Sequence, residues 1–419
     1  MKKLYKYDFA LIIIAILIGI VVAILASIYA DFVNLLQNNL YKKFIDSYLI
    51  IVIPAIGGLL VGLLLKNDAL SAKGHGIPAI LQTIKTKEIY FNFYDLLIEG
   101  FASALTIGTG GSAGRIGPLV EIGTGMADLI DQKLDFPEDL YQTILGCGAA
   151  AGISAVFHAP LGGIVFVMEL LFRDLKLERV TLVIISAVSA NIFARNIFEI
   201  EPLFNLPAFF INSFWEYPLF IILGFIIGFI GFLFVKGLYL LSINVEKFKV
   251  PIWLKPALGG LIVGLTGFFL PQILGTGIEI TNEFLLNDFS LKLLLLMVIF
   301  KLIMTIITLA SGGSGGVFAP ILMIGALTGA IFAYLGKIFF GEFLGLTISY
   351  GVIGMAASFA AISQAPFTSA LIIFELTGNY NIIVPLLLTS VISTTIYNKF
   401  MKESVYSPKL FRRLDKKNK

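Results

Sequence analysis

The sequence predicts an all-α polytopic membrane protein that is built from two repeats with broken, partly spanning helices. Three observations predict it: long uncharged apolar runs, glycine and proline inside several of these runs, and two motifs that recur in the same order. Hydrophobic residues make up 58% of the 419-residue chain and charged residues 14%, whereas soluble domains carry roughly 25% charged residues. This composition excludes an ordinary soluble domain.

The uncharged runs are long enough for membrane helices. The segment from Phe9 to Ala30 carries no charged residue, and a helix needs about 20 residues to cross the hydrocarbon layer. Further uncharged runs cover 47–65, 217–235, 256–278, 302–336, 343–374 and 376–398. We interpret the first run as a membrane helix, because it exceeds the apolar length of about 7–15 residues that is typical of a signal peptide, and no clear cleavage site follows.

Charged residues at the two ends of the chain predict its orientation. Lys2, Lys3 and Lys6 precede the first run, and the tail at 403–419 is basic. Positive residues flanking membrane helices favour the cytoplasmic side, so we expect both termini to be cytoplasmic in a multi-pass protein of the plasma or inner membrane. The net charge of +3 is therefore explained by orientation and does not indicate nucleic-acid binding. The single Cys147 excludes an internal disulfide framework and a cysteine-rich metal site.

Two of the apolar runs are interrupted where a simple membrane helix would continue. The sequence SGGSGGVFAP lies at 311–320, and SQAP lies at 363–366. Glycine and proline at these places predict helices that stop and restart within the bilayer. Irregular backbone survives there only where protein buries it or where it lines a watery cavity. The interruptions therefore indicate a permeation path.

An internal repeat supports this interpretation. The segment 111–118 (GSAGRIGP) aligns with 313–320 (GSGGVFAP), 202 residues further along the chain. A second pair, 148–170 with 354–376, shares the glycine-rich start, the Ala-Pro pair and the Glu-Leu pair at an offset of 206 residues. We expect one transmembrane domain over 1–419, with approximate halves at 8–200 and 210–413. Transporters built from repeats place their sites where broken helices of the two halves meet.

Three short motifs are candidates for binding a small anion: GHGIP at 74–78, GRIGP at 114–118 and GVFAP at 316–320. A helix start carries unpaired N–H groups and a partial positive charge of about half a unit. Glycine allows close approach of the backbone, and proline is tolerated in the first helical turn. Such a helix start can hold a partly dehydrated anion without a full charge that would trap it.

These three motifs, in this order, resemble the anion-binding signatures of the CLC chloride channels and transporters, and the stretch 148–170 resembles the helices that follow the second signature. The resemblance runs from about residue 8 to 413. It implies two antiparallel, inverted-topology halves, a homodimer with one pathway per subunit, and chloride or a similar small anion as the transported species. It implies no cofactor, and we expect no cytoplasmic regulatory domain after the basic tail.

The resemblance also assigns roles to individual residues. The third signature implies that the amides of Val317 and Phe318 hold the central anion, together with the hydroxyl of Tyr406. The first signature places His75 and Gly76 beside that anion. Two other interpretations remain open here: Tyr406 as an interfacial tyrosine, and His75 as a residue turned toward the cytoplasmic vestibule.

The second signature implies an outer anion site at Arg115, Ile116 and Gly117. Arg115 would attract anions to the mouth of the path, although a helix-capping role is also open. Family transporters carry a glutamate where this chain has Ile116, and that carboxylate occupies the outer site until it is protonated. Isoleucine has no charge and no proton to exchange, so the usual gate is missing at Ile116.

The inner proton station of the family is also missing. In exchangers a glutamate follows the proline of the Ala-Pro pair by ten residues, and this spacing reaches Leu170. Glu169 is adjacent, but one residue turns a helical side chain by about 100°. Its repeat mate Glu375 indicates that Glu169 is structural. We therefore expect passive anion conduction that is uncoupled from protons.

Several alternatives remain at this point. A chloride/proton or fluoride/proton antiporter with an atypical proton route is one, although fluoride exporters of the family keep the glutamate that Ile116 replaces. A slow uniporter whose two gates never open together is another. We do not expect an enzyme: no HExxH pair occurs, and His75 and His158 are the only histidines.

Overall fold

The computed structural model describes residues 2–66, 76–86, 91–172, 177–197, 204, 211, 213–287, 289–340 and 347–407. His75 and residues 408–419 of the basic tail lie outside these residues. The α-helices of the described residues are, in chain order, α1 (Lys2–Asn39), α2 (Ile53–Leu64), α3 (Ile77–Thr86), α4 (Phe93–Gly108), α5 (Ile116–Leu134), α6 (Glu138–Phe157), α7 (Pro160–Phe166), α8 (Leu177–Asn196), α9 (Glu216–Lys247), α10 (Lys255–Phe269), α11 (Ile278–Leu286), α12 (Leu291–Ala310), α13 (Phe318–Phe340), α14 (Thr347–Ser363), α15 (Pro366–Thr377) and α16 (Ile383–Phe400).

The helices differ in length in the way that the interrupted runs predict. Seven helical spans are long and apolar enough to cross a membrane, whereas 160–171, 347–363 and 366–377 form shorter apolar helices. α12 ends at Ala310 and α13 begins at Phe318, and α14 ends at Ser363 before α15 begins at Pro366. The structure thus confirms an all-helical fold with helices that stop and restart inside apolar runs.

The centre of the molecule is built on small side chains. In α14 every residue from Ile348 to Ser363 is buried. A Cβ added to Gly325 would lie 2.3 Å from the carbonyl oxygen of Gly354, and one added to Gly329 would lie 2.0 Å from that of Tyr350. Any larger residue would force α13 away from α14. Close backbone packing of this kind replaces the hydrophobic effect as the source of helix association in a lipid environment.

The two repeats meet in contacts that are reciprocal. A Cβ on Gly58 of α2 would collide with the carbonyl oxygen of Pro256, and a Cβ on Gly260 of α10 would collide with that of Pro54. Both pairs are related by the 202-residue offset of the sequence repeat. Contacts exchanged in this way define an approximate two-fold axis between the halves.

Two partly buried glutamates are exchanged across the same axis. Glu169 accepts hydrogen bonds from the Thr368 N–H (2.7 Å) and hydroxyl (2.7 Å) and from the Phe367 N–H (3.3 Å), at the start of α15. Glu375 accepts from the N–H groups of Leu161 (3.0 Å) and Gly162 (2.7 Å), at the start of α7. Each carboxylate therefore satisfies free N–H groups and the helix dipole of the opposite half. This arrangement agrees with a structural role for Glu169.

The exchanged glutamates should stabilise the packing of α7 against α15. We expect Glu375→Gln to lower the free energy of unfolding by about 1–3 kcal/mol, because charged hydrogen bonds at a helix start are replaced by neutral ones. Glu169→Gln should act similarly. Denaturant unfolding of the purified protein measures the change, and Glu283→Gln on the exposed surface of α11 is the control. Equal stability of all three variants would contradict the stabilising role of the exchange.

Candidate functional site

The second and third signatures are joined at the two-fold axis. The N–H of Gly114 donates to the carbonyl oxygen of Gly316 (2.6 Å), and the N–H of Gly316 donates to that of Gly114 (2.7 Å). A Cβ on Gly117 would lie 3.1 Å from the Cα of Gly316, and one on Gly316 would lie 2.9 Å from the Gly117 nitrogen. Glycine is required because two backbones cross here without room for a side chain.

Hydroxyl groups hold the two loops in this crossing. The Ser112 N–H donates to Thr308 Oγ1, and its repeat mate, the Ser314 N–H, donates to Thr106 Oγ1, each at 3.2 Å. Both threonines lie near the ends of the helices that precede the signatures, α12 and α4. The loops are therefore anchored in the opposite half, and the starts of α5 and α13 are fixed relative to each other.

The described part of the first signature, which begins at Gly76, lies beside the second signature. Gly76 precedes α3 and has a φ of +72°, the left-handed region that favours glycine. A Cβ on Gly76 would lie 3.9 Å from the carbonyl carbon of Gly117. The starts of α3, α5 and α13 thus converge on one region, and their partial positive charges add there.

Three of the side chains at this convergence are apolar. Ile116, the first residue of α5, is 2% exposed. Val317 and Phe318 are also buried. The Phe318 ring lies between two others, with centroid distances of 4.7 Å to Phe157 and 4.1 Å to Phe359. Apolar walls that surround oriented helix starts strengthen the field of those starts, because water does not screen it.

Arg115 lies at the N-cap of α5, next to Ile116. Its Nη1 is 3.4 Å from Asn34 Oδ1, and its Nε, which is buried, has no hydrogen-bond partner among the described residues. Arg115 therefore carries a positive charge with an unused donor beside the second signature.

Tyr406 is buried in the turn that follows α16. The N–H of the preceding Val405 donates to the carbonyl oxygen of Ile362 on α14 (2.8 Å). The same buried core contains Ile116, Phe318 and Tyr406. The structure thus brings the end of the described chain into the core that surrounds the third signature.

Two buried acids that sequence reasoning missed contact the signature segments. Glu121 on α5 accepts a hydrogen bond from the Gly76 N–H at 2.6 Å, and Glu99 on α4 accepts one from the Ser314 hydroxyl at 2.7 Å. They are 3% and 2% exposed, respectively. An ionisable residue in a membrane segment is itself a functional signal, and this signal was available in the sequence.

The repeat mate of Glu99 has the opposite charge. Lys301, 202 residues further on, is buried on α12 and donates to the carbonyl oxygens of Ile273 (3.0 Å) and Gly275 (2.8 Å). The Gly275 N–H in turn donates to the carbonyl oxygen of Gly110, just before the second signature (3.1 Å). The two halves therefore place a buried acid and a buried base at equivalent positions.

The predicted inner proton position carries no carboxylate. Leu170 lies in a π-helical turn, Val167–Leu171, and is partly buried. The neighbouring Glu169 is directed to the start of α15, as described above. The carboxylate of Glu169 is therefore bound to the opposite half and does not take the place of Leu170.

Comparisons with known proteins agree with this geometry. A family model described as voltage gated chloride channel matches residues 57–398. The voltage-gated ClC-type chloride channel ClcB of Escherichia coli (strain K12 / DH10B) is 31% identical over 357 residues, which cover 84% of this chain and 85% of that protein. The H(+)/Cl(-) exchange transporter ClcA of Vibrio cholerae serotype O1 (strain ATCC 39541 / Classical Ogawa 395 / O395) is 29% identical over 427 residues, which cover 98% and 91%.

A solved structure extends the agreement to the whole fold. The crystal structure of a slow cyanobacterial Cl-/H+ antiporter matches with a TM-score of 0.88 at 24% identity, over 98% of this chain and 99% of that chain. The named relatives thus include a channel and an exchanger at comparable identity. Together with the family match over most of the chain, these findings show that this multi-pass membrane protein belongs to the voltage-gated chloride channel (CLC) family of anion transporters and channels.

Proposed function

We propose that the protein conducts chloride or a similar small anion passively, without exchanging protons. The observation that carries this proposal is Ile116, an apolar residue at the first position of α5 where three helix starts converge. An isoleucine side chain can neither occupy an anion site as a carboxylate nor carry a proton. The outer gate that couples anions to protons in the exchangers of the family is therefore absent.

Backbone groups supply the attraction for the anion. The amides of Val317 and Phe318 lie at the start of α13, and Gly117 lies in the first turn of α5. Their partial charges compensate for the lost hydration of a small anion while leaving it free to depart. The hydroxyl of Tyr406 and the first signature, with His75 and Gly76, complete the proposed site.

Arg115 is proposed to act at the mouth of the path. Its guanidinium places a positive charge at the N-cap of α5, next to Ile116. A cation at the entrance raises the local anion concentration and the rate of entry. Arg115 thus attracts the anion to the path, and the amides of Val317 and Phe318 bind it.

The position of Leu170 supports the absence of proton coupling. A proton route through the membrane interior needs a titratable group near its inner end, and Leu170 offers none. Glu169 is held by three hydrogen bonds at the start of α15. Moving its carboxylate to carry protons would leave those N–H groups unpaired, which costs about 1–3 kcal/mol each.

A second candidate function is anion/proton antiport, with chloride or fluoride, by an atypical proton route. The buried acids Glu99 and Glu121 favour it, because both contact signature segments inside the membrane.

Among passive mechanisms, a slow uniporter differs from a channel in that its two gates never open together. Single-channel recording separates these two passive mechanisms.

The assembly and orientation are also proposals. We propose a homodimer in the plasma membrane with one pathway per subunit, cytoplasmic termini, and halves near 8–200 and 210–413. The reciprocal contacts of α2 with α10 and of α7 with α15 support the two halves. Subunit counting by single-molecule photobleaching tests the dimer, and accessibility of terminal tags tests the orientation.

Passive conduction predicts that a chloride gradient drives no proton movement. In liposomes that contain the purified protein, we expect anion efflux without uphill proton uptake. The reversal potential should follow the anion gradient alone, whatever the pH difference. Simultaneous recording with chloride and pH electrodes measures both fluxes. Stoichiometric proton movement would contradict the proposal and favour the antiporter.

A carboxylate at the outer gate should restore competition for the anion. We expect Ile116→Glu to reduce anion flux roughly tenfold or more at neutral pH, because a carboxylate at a partly buried helix start gains up to about 2 kcal/mol. Flux should recover partly in acid as the carboxylate is protonated. Ile116→Gln, which is polar and uncharged, is the control. Identical flux of the glutamate variant at all pH values would show that residue 116 does not line the path.

A further inference from the structure

Glu121 makes a contact that the anion signatures alone do not explain. It lies five residues after Ile116 on α5, is almost fully buried, and places Oε2 2.6 Å from the Gly76 nitrogen. Gly76 immediately precedes α3, so its N–H belongs to the helix start of the first signature. A side-chain carboxylate of the protein therefore occupies an amide of that signature.

The chemistry of this contact matches that of a bound anion. An ionised carboxylate accepts a charge-assisted hydrogen bond from an N–H at a helix start, as a small anion would. Gly76 lies against Gly117, where the other two signatures meet. The carboxyl group of Glu121 thus lies close to the place where the proposed function puts the transported anion. In surroundings of low dielectric constant, two neighbouring negative charges repel each other strongly.

We propose that Glu121 is a tethered, protonatable competitor of the transported anion at the first signature, and that it sets the pH dependence of anion binding. This inference rests on the proposed function, since it requires an anion at the converging helix starts. Ionised Glu121 holds the Gly76 N–H and repels the anion. Protonation removes the charge and weakens the hydrogen bond, so acid should tighten anion binding. By linkage, anion binding should promote protonation by the same factor.

Other ionisable groups surround α5 and must be separated from Glu121. The helices that pack against α5 are α1, α3, α4, α6 and α13. Among their described side chains and those of α5 itself, the ionisable residues are Tyr29 and Asp31 on α1, Tyr94, Asp95 and Glu99 on α4, Tyr141 and Cys147 on α6, Tyr334 and Lys337 on α13, and Arg115, Asp128, Asp131 and Lys133 on α5. His75, next to Gly76 in sequence, is a further candidate.

Most of these groups are engaged elsewhere or exposed. Tyr29 pairs with Ser103, and Asp128 accepts from the Phe91 N–H and from Tyr141 at the far end of α5. Glu99 is the other buried acid beside a signature, and it accepts a hydrogen bond from the hydroxyl of Ser314. A hydroxyl can turn to another acceptor, whereas the Gly76 N–H points in a fixed direction. Glu121 thus takes a backbone amide of a signature, whereas the contact of Glu99 with Ser314 is made to a side chain.

Glu375 provides a matched control within the same chain. Like Glu121 it accepts backbone N–H groups at a helix start, but that start, of α7, belongs to none of the three signatures. Removing the charge of Glu375 should affect stability and leave the pH dependence of anion binding unchanged. Removing the charge of Glu121 should change the pH dependence itself. A structural effect and a competing charge are thus distinguished by the pH profile.

The experiment measures chloride affinity by calorimetry between pH 4 and pH 8 for the purified full-length protein. We expect wild-type affinity to rise about tenfold as the pH falls, within the usual range of coupling between sites. In Glu121→Gln, affinity at neutral pH should approach the acid value of the wild type, and the pH dependence should disappear. Glu375→Gln, Glu99→Gln and His75→Ser should each keep the dependence.

A wild-type measurement guards against a variant that does not fold. Calorimetry in buffers of different ionisation enthalpy should detect proton uptake when chloride binds below neutral pH. Absence of uptake, or a pH dependence that survives Glu121→Gln or vanishes in His75→Ser or Glu99→Gln, would overturn the role of Glu121. Failure of the proposed function has a different result: chloride would not bind or flow at all, or protons would cross the membrane in a fixed ratio with the anion.

Discussion

The pair of hydrogen bonds between Gly114 and Gly316 is the contact on which the site depends. It joins the two signature loops directly at the axis that relates the halves. Because neither residue has a side chain, the starts of α5 and α13 come within backbone contact of each other. Larger residues would separate these helix starts, and their partial charges would no longer add at one place. The hydroxyls of Thr106 and Thr308 fix the loops from the opposite half.

The two-fold relation accounts for the repeated packing contacts between the halves. The residues around the signatures do not all follow this relation. Equivalent contacts recur at α2 with α10 and at the exchanged glutamates of α7 and α15. Around the signatures the halves differ: Glu99 faces the third signature loop, whereas its mate Lys301 ties the loop before α11. Burying an isolated charge is costly, so each ion is retained only with hydrogen-bond partners. The two halves therefore share their packing contacts but differ in the buried charged residues that they carry.

The charge pattern around the signatures bears on the proposed passive conduction. The proposed conductor has an apolar Ile116 and an apolar Leu170 at the two positions where exchangers carry acids. Acids are nevertheless present, since Glu121 and Glu99 accept hydrogen bonds from Gly76 and Ser314 in the signature segments. In the proposed role, Glu121 competes with the anion at a signature amide through its charge and carries no proton across the membrane. A carboxylate can thus control anion binding without coupling anion transport to protons.

The sequence by itself determined the helical membrane fold, the interrupted helices and the three signatures. These features depend on local properties: apolar runs such as 302–336, glycine and proline within them, and an offset that repeats. It also marked Ile116 and Leu170, because the flanking residues fix their alignment. Only the tertiary structure decided which groups occupy the helix starts. Glu121 meets Gly76 and Glu169 meets Thr368 across 45 and 199 residues of chain. Such pairs form only when distant helices pack together, so no local pattern of residues can predict which amide a carboxylate takes.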